Sequence, residues 1–385
     1  MKKIWYGLLV CGALYLLVNL KPVENQWDFD ACYHVAKAYL GGVNPYDNSA
    51  VARFTHRTMM AFAYLPGTIW FFVPFTWLDY KIAVYIYILL KLAVIAALLM
   101  LWRNVFFDRQ AGPVFYLICL LGFNCTFGID LQSGNIALFE QFLLWLAFFY
   151  YLRRKLLYFC LFVVLAATLK IEPILFLFLL LPLENKNRYR YLAWSGCVFF
   201  VVVWVQFMVD PSRFAGFLQN VAGVVDDGSI STFACIQDTA AYLFPSPVII
   251  PWLNKLAFAI YLGVIVFVVA LSISAFRMIK KTVSVDREKL YIFFGCVVYA
   301  LVCFRLKDYT FIFLIPSAFF IVQYFLRRNR LAGWLVIAGL LFNSAYLLDR
   351  NLGPGLLLRY YPLFLLYGLW MTYLCRRREL PLKNK

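Results

Sequence analysis

The sequence predicts an all-α protein, a polytopic bundle of transmembrane helices, and three observations carry that prediction. The composition is 64% hydrophobic and only 14% charged, with a mean hydropathy of +0.78, where a soluble domain carries roughly a quarter charged residues. Apolar runs of about 18 residues or more recur along the whole chain, each long enough to cross a hydrocarbon core of roughly 30 Å. Lipid offers the backbone no hydrogen-bond partner, so spans this long and this apolar must be helices rather than alternating barrel strands.

Taken in order, the elements begin with Lys2 and Lys3 ahead of the apolar run Ile4 to Leu20. No small-x-small cleavage site follows, so this run reads as a first transmembrane helix rather than a signal peptide. The segment 21–58 is polar enough to be an outer loop. Met59 to Leu78 is apolar enough to span but contains Pro66, Gly67 and Pro74. Counting it as a span would invert the side of every later basic cluster, so it is expected to be a re-entrant or surface-lying element, tolerated where protein covers the broken helix. Spans are then expected at 82–102, 113–129, 135–152, 156–169, 171–184, 190–209, 252–276, 289–304, 309–326, 332–348 and 358–375. The run 156–184 is divided because Lys170, Glu172 and Pro173 interrupt it. A second long outer loop covers 210–251. The expectation is a single domain, residues 1–385, of about twelve spans with both termini cytoplasmic in the plasma membrane.

The net charge of +17 does not point to nucleic acid, because the basic residues sit in short clusters between apolar runs. Lys2-Lys3, Arg103 with Arg109, Arg153 to Lys155, Lys186 to Arg190, Arg277 to Lys281, Arg327 to Arg330 and Arg376 to Arg378 all fall on one side of that threading, as the positive-inside rule requires. Ten cysteines are scattered without a CxxC pair, beside only two histidines, and read as small buried hydrophobes rather than metal ligands. Cys32 and Cys235 both fall in expected outer loops, where a disulfide between them was weighed. No metal or other cofactor is expected.

Long loops in compact domains usually carry function, and both long loops lie on the outer side. The first contains WDFDACYHVAKAYLGGVNPYDNS, in which Asp28 and Asp30 open a helical stretch. One reading makes them capping residues at the positive end of the helix dipole; the other makes one of them a catalytic carboxylate. On a helix they point about 200 degrees apart, so only one can face a given cavity. Lys91, Glu140, Gln141 and Gln206 are costly in lipid and are expected to face the bundle as structural pairs.

The loop resembles the polyprenol-phosphate-dependent glycosyltransferases of family 87, which have the GT-C membrane fold. Asp28-Phe29, Tyr33, Ala36, Ala38, Gly42 and Pro45-Tyr46 carry the likeness. It continues in order through Tyr64, Pro66 and Pro74, the Gly134-Asn135 step opening a helix, and Lys170-Ile171-Glu172-Pro173. It ends with Gly228, Ser229 and Ser231, then Arg305, Lys307, Asp308 and Pro316. Glu172 stands where the family has an aromatic, and Lys307 where some members carry histidine.

The resemblance implies a GT-C-type bundle that transfers a mannose-like hexose or a pentose. The donor would be a polyprenyl-phosphate sugar and the acceptor a cell-envelope glycan or glycolipid, with membrane lipids as the remaining partner. It makes Asp28 the general base, with Asp30 two residues away as the alternative. Lys170, Arg305 and Lys307 are candidates for the donor phosphate, against ordinary snorkelling to the interface. Tyr33, Tyr46, Asn135 and His34 complete the expected substrate-binding set. Transfer is expected to be inverting and metal-independent. A lipid or polysaccharide transporter is the competing class, but it should show two similar halves, and no internal repeat is evident.

Overall fold

The computed structural model describes residues 7, 10–12, 26–57, 60–107, 109, 112–223, 228–244, 250–281, 287–342 and 355–376. The expected first span, 4–20, lies almost wholly outside the described residues. The described residues form helices and connecting turns, with no strand. Among the described residues, five helical stretches are long and apolar enough to cross a bilayer by length and composition: Tyr80–Phe106, Pro113–Ser133, Arg188–Val209, Trp252–Lys280 and Asp308–Arg328. Of the apolar stretch of Arg188–Val209 only 6% is buried, against 78% for that of Asp308–Arg328. An apolar helix with nearly all of its surface exposed needs lipid as its solvent.

The chain forms two compact units. One comprises 14–105 and 128–227, the other 1–13, 106–127 and 228–385. The first unit begins with α1 (Trp27–Leu40) and α2 (Asn48–Thr55). The proline-bearing element is broken into a 3-10 turn Pro66–Thr68, the single turn α3 (Ile69–Phe72) and a 3-10 turn Val73–Trp77. Pro66 and Pro74 each remove a main-chain donor near the start of their 3-10 turn, so no continuous helix runs through. Next come α4 (Tyr80–Leu101), which runs into a π turn at Trp102–Phe106, and the end of α5 (Pro113–Ser133). They are followed by α6 (Ala137–Leu152), α7 (Leu156–Leu169), α8 (Arg188–Val209) and α9 (Pro211–Gly223).

The expected helix at 171–184 is instead a 3-10 helix over Glu172–Leu180. Pro173 at its start lacks an N–H, and the Tyr151 hydroxyl donates to the Leu179 carbonyl at 3.0 Å near its end. A 3-10 helix rises about 2.0 Å per residue, so the segment gains length for its nine residues.

The core of this unit is aromatic. Phe29, Tyr33, Phe72, Phe75 and Tyr87 are all buried, and Phe29 stacks on Tyr87 at 4.4 Å between ring centroids. Such a pair contributes about 0.5–1.5 kcal/mol beyond area burial. The costly polar residues of the apolar helices find partners here. Lys91 Nζ lies 2.7 Å from Asp130 Oδ2 with both side chains wholly buried, and Gln206 Oε1 accepts from the Gly67 amide at 2.8 Å.

The second unit takes the first part of α5, then α10 (Thr232–Leu243), α11 (Ile250–Lys281) and α12 (Arg287–Val302). A 3-10 helix Asp308–Leu314 leads into α13 (Ile315–Arg328), α14 (Arg330–Leu341), α15 (Gly355–Arg359) and α16 (Tyr361–Arg376). The expected span 332–348 is described only to 342. The sequence leads one to expect an unbroken helix at 113–129, but Gly122–Cys125 leave the helical conformation, with φ of 51°, 61° and 58° at Phe123, Asn124 and Cys125. The reason lies in what the kink releases: the Thr126 hydroxyl donates to the Asp308 carbonyl, and Asn124 reaches the Asp308 carboxylate at 3.5 Å. Cys32 and Cys235 are both free thiols, so the disulfide weighed for them is not formed. Cys32 packs into the buried face of α1, where burial and the nearby Asp28 charge hold its thiol well above the ordinary range.

Candidate active site

The start of α1 is held by side chains rather than by a cap of its own. Gln26 at the N-cap position makes no side-chain cap bond; its Nε2 donates to the Leu131 carbonyl at the end of α5, at 2.7 Å. Gly134 turns the chain between α5 and α6 with φ of +70°, and a Cβ there would lie 2.3 Å from Gln26 Oε1 and 2.7 Å from Phe29 Cβ. Only glycine permits both that backbone conformation and that approach. The Gly-Asn step therefore lets the start of α1 dock on the α5–α6 turn.

Asn135, next in sequence, is buried and uses its whole side chain. Its Oδ1 accepts from the Ala137 amide at 2.9 Å. Its Nδ2 donates to Asp28 Oδ2 at 2.9 Å and to the Tyr64 hydroxyl at 2.9 Å. Its own carbonyl accepts from the Tyr87 hydroxyl at 3.2 Å. Asp28 lies in the first turn of α1 but caps nothing: its carboxylate faces Asn135, leaving only the favourable field of the helix start from the capping alternative.

Asp30 faces a different set. Arg57 Nη1 lies 3.0 Å and His34 Nε2 3.5 Å from its Oδ1, while the His34 ring stacks on Tyr80 at 5.6 Å. Burial alone would push the Asp30 carboxyl up, but His34, Tyr80 and Arg57 together outweigh it and hold the group below its ordinary value. The two aspartates are thus divided, one held by a neutral amide and one by Arg57 and His34.

Lys170 ends α7 in an extended conformation, φ −141° and ψ 139°, just before the Glu172–Leu180 helix. That break turns its ammonium inward, 3.7 Å from Glu140 Oε2. Asp28 and Lys170 each lie within electrostatic range of the Lys91–Asp130 pair in the same unit. The unit thus holds a carboxylate, an amide donor and two lysines, groups of the kind that can take a proton and meet an anion.

Tyr33 and Tyr46 are buried and commit their hydroxyls to main chain, to the Leu78 carbonyl at 2.8 Å and the Tyr64 carbonyl at 2.7 Å. They fix the two ends of the proline-bearing stretch between Tyr64 and Leu78. Arg305 and Lys307 belong to the other unit, in the turn between α12 and the Asp308–Leu314 helix. Their backbone is fixed there by the Cys303 thiol on the Arg305 carbonyl at 3.0 Å and by Thr310 Oγ1 on the Lys307 amide at 2.8 Å. Ser229 braces the same turn, exchanging hydrogen bonds with Leu306 at 3.0 and 3.1 Å.

Three polar residues that sequence reasoning did not count among the catalytic or binding candidates are brought to these places by the structure. Tyr64 shares Asn135 with Asp28, and Glu140 meets Lys170; Asn124 meets Asp308 in the second unit. The only signal for Glu140 and Asn124 was a polar residue within an apolar run.

Residues 62–382 match the family model described as Glycosyltransferase family 87. The matched stretch contains Asn135, Lys170, Arg305 and Lys307; Asp28, Asp30, Tyr33, His34 and Tyr46 precede it. No curated protein and no solved structure matches. A match across most of an all-helical chain with several membrane-crossing helices identifies the protein as an integral membrane glycosyltransferase that belongs to glycosyltransferase family 87.

Proposed function

We propose that the protein transfers a mannose-like hexose or a pentose from a polyprenyl-phosphate donor to a cell-envelope glycan or glycolipid on the extracytoplasmic face. The proposed fold type is GT-C, as one domain. The acceptor hydroxyl attacks the anomeric carbon as Asp28 takes its proton. The anomeric C–O bond to phosphate breaks, and its electron pair leaves with the polyprenyl phosphate. Displacement in one step inverts the anomeric configuration. Lys170 is the cation proposed to meet the departing phosphate, where fixed positive charge in a water-poor site counts most. Among the site's carboxylates Asp28 suits the base better than Asp30, because a carboxylate paired with Arg57 and His34 is a weaker proton acceptor.

The observation that carries this reading is the Asp28–Asn135 hydrogen bond of 2.9 Å, which holds a carboxylate that, among the described residues, caps nothing and is bonded to no cation. Purified protein in lipid, offered a panel of labelled polyprenyl-phosphate monosaccharides with EDTA present, tests it. Wild-type turnover is expected, with Asp28→Asn reduced by about 10²-fold or more, the range typical of a lost general base. Equal turnover by the variant would remove Asp28 from the mechanism, and EDTA-sensitive turnover would replace the metal-independent scheme.

A further inference from the structure

The amide of Asn135 meets Asp28 through one carboxylate oxygen only. Asp28 Oδ2 accepts from Asn135 Nδ2 at 2.9 Å, while Oδ1 makes no hydrogen bond among the described residues. Every polar atom of the Asn135 side chain is already engaged within the protein, by Ala137, Tyr64 and Asp28. A side chain so committed has nothing left for a sugar hydroxyl.

We infer that Asn135 is not a substrate ligand but the positioning residue of the base, clamping Asp28 Oδ2 so that Oδ1 is the atom that receives the acceptor's proton. The inference rests on Asp28 being that base. Three features of the chain serve the clamp. Gly134 brings the start of α1 within reach, the Ala137 amide fixes which end of the Asn135 amide points at Asp28, and Tyr64 takes the second Nδ2 proton. An asparagine is the only residue that can accept at one end and donate twice at the other over this short distance, whereas aspartate and serine keep the acceptor and lose one or both donors.

The titratable groups that feel the Asp28 charge are Cys32 on its own helix, Tyr87 and Lys91 on α4 and Asp130 near the end of α5. The Tyr64 hydroxyl lies across Asn135. None of these groups is itself replaced, and only Tyr64 loses a hydrogen bond, when Asn135 is substituted, so an altered pH profile reports the Asn135 position.

Asn135→Asp keeps the size and the acceptor for Ala137 but sets a carboxylate against Asp28. Two carboxylates in contact retain a shared proton to higher pH. The expected result is kcat lower on the order of 10²-fold at neutral pH, donor KM within a few-fold of wild type, an acid limb moved up by about one pH unit or more, and recovery of rate at alkaline pH. Such recovery would not follow from misfolding. Asn135→Ser keeps the acceptor without adding charge, so its kcat should fall on the order of tenfold while the acid limb stays in place.

Wild-type kcat and pH profile in Asn135→Asp would overturn the inference, as would a raised KM at unchanged kcat in either variant, which marks a substrate ligand. If Asn135→Asp fails to give monodisperse protein, the kcat-against-KM split of Asn135→Ser decides alone. Full turnover by Asp28→Asn sinks the base and this inference with it. Loss of turnover there beside an unaffected Asn135→Asp sinks only the role of Asn135.

Discussion

Asp28 and Asp30 stand two residues apart on one helix, yet their surroundings separate them completely. Asp30 is held below its ordinary value of 3.8 by His34, Tyr80 and Arg57 against the opposing effect of burial. A carboxylate depressed in the folded state contributes stability that is full above its unfolded value and lost as pH falls through the lower one. Asp30→Asn should therefore lower the melting temperature at pH 7, and the gap to wild type should close as pH drops below 3.8; a gap that persists in acid would refute the ion pairing. Activity should survive this substitution within about tenfold if Asp28 is the base as proposed. At Gly134 the expectation is harsher. Alanine there meets Gln26 Oε1 and Phe29 Cβ while holding a left-handed backbone, a strain of about 1–3 kcal/mol. Thermal unfolding in detergent should show that loss, and turnover should fall with it because the start of α1 moves.

The helices of this unit are tied together at a few polar points inside an apolar surround. Lys91 on α4 and Asp130 on α5 form the most deeply buried of them, with Lys91 Nζ also donating to the Asp130 carbonyl at 2.6 Å. Lys91→Met alone leaves an uncompensated buried carboxylate and should cost about 3–5 kcal/mol, whereas Lys91→Met with Asp130→Leu should recover most of that loss. Equal destabilisation in the single and double variants would show that the pair matters only through its main-chain bond. Tyr46 is a smaller tie of the same kind. Tyr46→Phe removes the hydroxyl bond to the Tyr64 carbonyl, which costs about 0.5–1.5 kcal/mol, and since Tyr64 touches Asn135 the variant should lose kcat rather than donor affinity.

Across the whole molecule the medium sets the arrangement. Helices such as α8 expose apolar side chains, among them Phe200 and Trp204, over nearly their full length, so lipid takes the place of a protein neighbour. The proposed topology, drawn from the positive-inside rule, puts the basic turns in the cytoplasm and the α1–α2 segment on the outer face. Alkaline phosphatase fused after Asp47 should be active and the same fusion after Arg154 inactive. The reverse pattern would invert the topology and move the proposed reaction across the membrane.

Composition and spacing alone determined that the chain is helical and membrane-embedded, because a backbone in hydrocarbon has so few ways to satisfy its hydrogen bonds. They also marked the breaks at Pro66, Pro74 and Pro173, where a missing N–H cannot be concealed, and singled out Asp28, Asn135 and Lys170 as polar groups in an order shared with a glycosyltransferase family. Which aspartate meets the amide, that Asn135 spends its side chain inside the protein, that Glu140 answers Lys170 and that α5 unwinds at Gly122–Cys125 were decided only by tertiary structure. Each of these depends on contacts between residues some thirty to nearly two hundred positions apart in the chain, such as Asn135 with Asp28 at a separation of 107 and Asn124 with Asp308 at 184. Local propensity and hydrophobic period carry no information about such pairings, because the energy that selects them appears only once the helices have packed.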